Sequence, residues 1–212
     1  MDRWSRLALL TGVAFFALLL ASFIVGGSTP GTGDSGQSVI NFYTAHKDKE
    51  MVSAFLGFYA VVFFLFFAGL LRARLREARP DSALPAISFG GAIFIAISGS
   101  VFASLTIALT DVPDKLGPDA AQSLNLLVND SFATLIAGVC VFMIANGIAT
   151  LRYPVLPAWL GWIAILIGIV AVTPVGFFGF LAMAIWTLIV SILLYVRGGA
   201  TRPATAPASP VS

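Results

Sequence analysis

Trp159 to Val196 is a run of 38 residues without one Asp, Glu, Lys or Arg. A helix that crosses a bilayer needs about 20 apolar residues. The run is therefore long enough for two crossings, and Thr173-Pro174-Val175-Gly176 at its midpoint supplies the turn of a hairpin. The rest of the chain repeats this arrangement, with charges confined to short gaps between apolar stretches. Charged residues make up 10% of the 212, against about 25% in soluble domains. With a mean hydropathy of +0.96, the chain carries more apolar surface than one globular core hides, and a bilayer is the solvent it fits.

Taken in order, the apolar runs predict an all-α, polytopic membrane helix bundle. Its six transmembrane helices fall at about 7–25, 51–71, 86–109, 132–151, 159–174 and 177–196, within a single membrane domain over 1–197. The first run, Leu7 to Val25, has 19 residues. Signal-peptide cores are typically about 7–15, so it reads as a retained helix rather than a cleaved leader. Gly26 to Gly36 is a turn-rich linker. Ser38 to Glu50 follows as a short interfacial helix, with Val39, Ile40, Phe42 and Tyr43 at headgroup depth. The second span is dense in phenylalanine, and its rings point to most sides of the helix, so some face lipid. From Asp119 to Arg152 the pattern is helical for 34 residues, about 51 Å at about 1.5 Å per residue. Only 132–151 is apolar enough to span, so 119–131 projects from the membrane or lies on it. The tail, 198–212, is Gly, Ala, Pro, Ser and Thr with one arginine and one valine, and is expected to be disordered and cytoplasmic.

The third span carries a ridge of small residues at every fourth position: Ser88, Ala92, Ala96, Ser100, Ser104 and Ala108. Lipid tails are as apolar as leucine, so helices in bilayers associate by close packing, which small residues permit. The ridge predicts that this is the most protein-contacted helix of the bundle.

The stretch Leu70-Leu71-Arg72-Ala73-Arg74-Leu75-Arg76-Glu77-Ala78-Arg79-Pro80 sets the orientation. With six spans and a cytoplasmic N-terminus, nine basic residues lie inside: Arg3, Arg6, Arg72, Arg74, Arg76, Arg79, Arg152, Arg197 and Arg202. Only Lys47, Lys49 and Lys115 lie outside, which accounts for all 12. That alternation at every loop is what the positive-inside rule requires. Arg72, Arg74, Arg76 and Arg79 are also expected to meet anionic headgroups on the cytoplasmic face.

Residues able to carry chemistry are few. Asp130 stands with Asn125, Asn129 and Thr134 at the outer mouth of the fourth span, where an ionisable group is a functional candidate by default. Asn129, Asp130 and Ser131 equally suit a helix cap. His46 and Glu50 lie one helical turn apart, with Asp48 between, and could share a ligand with Asp130 across the outer face, where such a group could shuttle a proton or hold a metal. As charges preceding a span they also read as simply solvated. Asn146, in the inner third of the fourth span, suits an interhelical hydrogen bond, with substrate contact as the sharper alternative. The lone Cys140 can form no intrachain disulfide. The lone histidine excludes a bis-histidine haem or a His-rich zinc site built by this chain alone. Neither a phosphate loop, a nucleophile elbow, HExxH nor a thiol pair is present, so no cofactor or metal is implied. A net charge of +2 gives no reason to expect nucleic acid.

Several landmarks together resemble a group of small bacterial multi-pass membrane proteins of unknown function. They are Phe42-Tyr43 with His46 before a span, Leu70 to Arg76, Leu156-Pro157-Ala158-Trp159-Leu160-Gly161-Trp162, and the late Trp186. The resemblance implies a six-span bundle with a retained first helix in the plasma (inner) membrane of a bacterium, and it carries over no functional residue. The expected function is that of a non-enzymatic accessory or envelope-associated membrane component, working with an unidentified membrane partner. The alternative is a small, proton-linked transporter with an outward-facing site around Asp130 and His46.

Overall fold

The computed structural model describes residues 8–197, and among them there are helices and no strands. The helices are α1 (Thr11–Gly26), α2 (Gly36–Ala45), α3 (Lys47–Ala78), α4 (Leu84–Asp111), α5 (Pro118–Asp130), α6 (Phe132–Arg152), α7 (Ala158–Ala171) and α8 (Gly176–Arg197), with one 3-10 turn at Pro113–Lys115. Four stretches are long and apolar enough to cross a membrane: α3, α4, the α5–α6 segment and α8. Helices α1 and α7 are apolar but shorter, at 16 and 14 residues. Arg3, Arg6 and the tail expected to be disordered lie outside the described residues.

Helices α1 and α3, and α4 and α6, run antiparallel to one another. Along α1 and α3, Gly12 meets Phe67 and Ser22 meets Ser53. Along α4 and α6, Gly91 meets Phe142 and Ser88 meets Asn146. The chain closes on itself where α8 returns to α1, with the Ser191 hydroxyl donating to the Leu9 carbonyl. The expected hairpin is present, α7 and α8 being joined by the turn at 172–175.

The centre of the bundle is filled by aromatic rings drawn from four helices. Phe15 packs on Phe64 at 5.0 Å, Phe64 on Phe142 at 5.1 Å, and Phe142 edge-on against Trp186 at 6.2 Å between centroids. All four are buried, and the Trp186 indole N–H donates to the Leu160 carbonyl at 3.1 Å, which ties in α7. A buried indole with a backbone acceptor keeps its apolar area without leaving a polar atom unpaired. Around this column the phenylalanines of α3 divide by register. Phe64 and Phe67 point inward, while Phe55, Phe58, Phe63 and Phe66 are exposed.

Helices α4 and α6 approach most closely at paired glycines. A Cβ on Gly91 would lie 2.9 Å from the Gly138 carbonyl, and one on Gly138 would lie 3.0 Å from the Gly91 carbonyl. Neither position accepts a side chain without separating the helices, which is the small-residue packing expected in lipid. The serine and alanine ridge behaves differently. Ser88 and Ala92 are buried against α6, Ala96 and Ser100 are half-buried, and Ser104 and Ala108 are exposed. Steps of four advance about 400° on a helix of about 3.6 residues per turn, so five steps carry the stripe roughly halfway round. One neighbour cannot follow it. Helix α4 is nonetheless the one most extensively in contact with other helices among the described residues, as expected, packing on α3 and α6 and reaching α2 and α5, even though only 33% of its most apolar stretch is buried.

A second, smaller core lies at one end of the bundle. Val39 and Tyr43 of α2 pack with Leu109 of α4 and with Ala121 and Val128 of α5. Helices α2 and α5 thus form a cap over the end of α4. Each begins with a helix-start signal. The Ser35 hydroxyl accepts from the Ser38 N–H at 3.3 Å, and Pro118 occupies the first turn of α5, followed by Asp119. The two starts touch, since a Cβ on Gly36 would fall onto the Pro118 carbonyl. Helix α5 is a separate element from α6, broken from it at Ser131.

Candidate functional site

Helices α2 and α3 are joined by a single residue, His46, which ends one helix and starts the next. Its N–H donates to the Phe42 carbonyl and its carbonyl accepts from the Glu50 N–H, both at 3.0 Å. The imidazole turns back over α2. It stacks on the Phe42 ring at 4.5 Å, and Nδ1 lies 2.9 Å from the Phe42 carbonyl. Because a carbonyl oxygen can only accept, Nδ1 is protonated and donates to it.

Glu50 turns the other way. It is 2% exposed, and its Oε1 has no hydrogen-bond partner. Its Oε2 faces Gly26 at the end of α1, where a Cβ would stand 3.8 Å away. Beside it α1 and α3 are stitched by two serines. The Ser22 hydroxyl donates to the Ser53 carbonyl at 2.9 Å, and the Ser53 hydroxyl donates to the Ser22 carbonyl at 3.0 Å. Gly26 allows this approach, because a Cβ there would come within 2.7 Å of the Ser53 hydroxyl. Tyr43 of α2 is buried in the cap core and lies near enough to feel the charge of Glu50.

The electrostatics follow from that enclosure. Helix α3 has 32 residues, about 48 Å at about 1.5 Å per residue, against a hydrocarbon core of about 30 Å. The helix is therefore about 18 Å longer than the apolar layer, and Glu50 precedes the span expected at 51–71. Burial pushes its carboxyl up from the ordinary glutamate range, while Lys49 and His46 pull less strongly the other way. Burial also pushes the Tyr43 phenol above its ordinary range, and the charge of Glu50 adds to the effect. A carboxyl so placed favours its neutral, proton-bearing form.

The other sequence candidates are spread out. Asp130 is exposed at the end of α5, and no hydrogen bond or ion pair joins it to His46 or Glu50. Thr134 is exposed. The Ser131 hydroxyl returns to the Val128 carbonyl at 2.8 Å, leaving α6 without a side-chain cap. Asn125 and Asn129 clamp the linker. The Asn125 amide donates to the Gly31 carbonyl at 2.9 Å, and the Asn129 amide lies 3.5 Å from the Pro30 carbonyl and 2.8 Å from that of Asn125. Asn146 is buried and donates to the Ser88 hydroxyl at 2.7 Å and the Phe142 carbonyl at 2.8 Å, joining α6 to α4. Among the described residues, no three of His, Cys, Asp and Glu gather where they could hold a metal ion.

Ser22 and Ser53 were not singled out from sequence, and Tyr43 and Gly26 were read only as an interfacial aromatic and the start of the linker. A usable signal existed for Glu50. It opens the inward stripe Ala54, Gly57, Val61, Phe64, Ala68, Leu71 and Leu75, spaced alternately by three and four residues. An acid in register with a buried stripe differs from the solvated acid beside it, Asp48.

Comparison of the chain with family models, with curated proteins and with solved structures finds no match. What the fold defines is an all-helical bundle with four helices of membrane-crossing length and apolarity.

Proposed function

We propose that the chain is a six-span, non-enzymatic component of a bacterial plasma membrane, with its termini and arginine loop in the cytoplasm and the α2–α5 cap outside. It serves as an accessory or envelope-associated protein that works with another membrane protein. The observation that carries this reading is the aromatic column Phe15–Phe64–Phe142–Trp186, which fills the middle of the bundle with buried rings. A packed column suits a scaffold better than a conduit. The cap adds an ordered outer surface, which a partner in the envelope requires.

The test is crosslinking in native membranes from a photoreactive residue at exposed Asp130, followed by co-purification. A defined partner is expected. Substrate-dependent flux through the purified protein in sealed vesicles would overturn the reading. A reporter fused after Pro80 is expected to be active only on the cytoplasmic side.

A proton-linked transporter is the second reading, and one observation favours it: the buried Glu50 carboxyl with an unpartnered oxygen. On that reading Glu50, rather than Asp130 with His46, is the acid that binds and releases the proton. Proton-driven uptake abolished by Glu50→Gln and unaffected by Asp130→Asn would establish it.

A further inference from the structure

Between α3 and α4 the bundle carries a groove of about 760 Å³ that opens sideways. On α3 its wall is Phe58, Val62, Leu65 and Gly69, and on α4 it is Ile93 and Ala96. The groove also contains two serines, and both are neutralised by their own helix. The Ser100 hydroxyl donates to the Ala96 carbonyl at 2.8 Å, and the Ser104 hydroxyl to the Ser100 carbonyl at 2.9 Å. The surface presented is therefore apolar throughout. From Phe58 to Leu70 it extends about 18 Å along α3, at about 1.5 Å per residue. One leaflet of hydrocarbon is about 15 Å deep, half of the roughly 30 Å core.

The polar end of the groove is equally defined. The α3 wall continues in steps of three and four residues from Gly69 to Arg72 and Arg76. Arg72 is half-buried, with its guanidinium 5.1 Å from the centroid of Phe89, which lines the groove. The ring orients the guanidinium while using none of its N–H donors. Those donors meet no acceptor among the described residues. Arg74, two positions on and turned to another face, is by contrast paired with Glu77 at 3.0 Å. A fixed, unpaired guanidinium at the mouth of an acyl-length apolar groove matches one chemistry: a phosphate attached to a hydrocarbon chain.

We propose that the α3–α4 groove is a binding site for an anionic phospholipid of the leaflet next to the arginine loop, an acyl chain lying against Val62, Gly69, Ile93 and Ala96 and the phosphate held by Arg72. The site rests on the membrane-spanning reading above but not on its orientation. It explains why the small-residue ridge is left half-open at Ala96 and Ser100, where lipid rather than a helix occupies the space.

The experiment uses the full chain, purified in mild detergent and equilibrated with equal amounts of dioleoyl phosphatidylglycerol and dioleoyl phosphatidylcholine, with retained lipid read by native mass spectrometry. The wild type is expected to retain phosphatidylglycerol over phosphatidylcholine by about fivefold, the scale of one basic residue at a membrane surface. Arg72→Gln is expected to remove the preference, and Arg74→Gln to leave it. Ala96→Phe, which fills the groove without entering the core, is expected to lower retention of both lipids. Equal retention by the wild type, or a preference unchanged in Arg72→Gln, would overturn the site. The membrane-spanning reading fails separately, if alkaline carbonate washes the chain from native membranes.

Discussion

The bundle and its cap are built by different rules within one chain. In the bundle, contacts between helices come from shape. Paired glycines at 91 and 138 bring backbones together, and four rings fill the middle. Some polar groups there join helix to helix, as Asn146 does with Ser88, while others, such as Ser98 and Thr106, return to a carbonyl of their own helix. In the cap, two short amphipathic helices enclose a five-residue core, and asparagine side chains hold the linker by its carbonyls. The first arrangement suits lipid, where apolar side chains gain nothing by leaving the solvent. The second suits water, where a small apolar cluster is stabilised by burial and loop carbonyls are tied down by side chains. The same residue types therefore differ in consequence according to the end of the molecule they occupy.

The most severe way to test this contrast is to open the aromatic column. Phe142→Ala removes the ring that touches both Phe64 and Trp186 and is expected to cost about 3 kcal/mol. That is the low end of the usual range for Phe→Ala, because lipid solvates the lost ring contacts in the unfolded reference. Reversible unfolding in bicelles measures it, and hydrogen exchange in α2 and α5 should stay unchanged. Exchange rising equally in the cap would make bundle and cap one cooperative unit.

The converse change is Asn125→Ala. It strips the carbonyl of exposed Gly31 of its side-chain donor and is expected to cost about 1 kcal/mol, the usual net worth of one hydrogen bond. The loss should be local. Limited proteolysis within 26–36 should accelerate while the bundle's unfolding midpoint holds. A midpoint that falls as it does for Phe142→Ala would erase the distinction.

The sequence already separates these regions in part. Charge gaps and run lengths locate the apolar helices, the Thr173–Gly176 turn, and the break between α5 and α6, because each depends on neighbours close in the chain. The clamp of Asn125 on Gly31 was hidden, since it joins residues 94 apart through a side chain and a backbone carbonyl. Glu50 was obscured by Lys47, Asp48 and Lys49, which make the segment look solvated, although its register with Ala54 and Val61 points inward. The ridge on α4 lies on a packed helix, but only its first half faces α6, for a geometric reason. A strict four-residue repeat winds round the helix, so Ser88 and Ala108 cannot serve the same interface.

Glu50 stands where the two regimes meet, and its titration shows which one governs the junction. Burial raises its carboxyl, so the folded chain holds the proton more tightly than the unfolded chain. The stability this group contributes is then full at acid pH and is lost as pH rises through the raised value. Wild-type melting temperature should fall as pH rises above about 4, where an unfolded glutamate begins to ionise. Glu50→Gln should flatten that part of the profile. An identical slope in the variant would mean that water reaches the carboxyl and that the junction belongs to the cap.

The smallest change sits one turn further along α3. Ser53→Ala deletes one of the two reciprocal bonds to Ser22, at 3.0 Å, and leaves the Ser22 carbonyl without that donor. If the seam lies in lipid, the expected cost is about 0.6 kcal/mol, the average for such bonds between membrane helices, whose unfolded partners also find donors. If water enters the seam, it replaces the hydroxyl and the cost vanishes. Measured in bicelles beside Glu50→Gln, the two variants therefore place the boundary between bundle and cap to within one helical turn. A cost for Ser53→Ala with a flattened profile for Glu50→Gln puts both residues on the dry side. A cost for Ser53→Ala with the wild-type slope retained in Glu50→Gln draws the line between them.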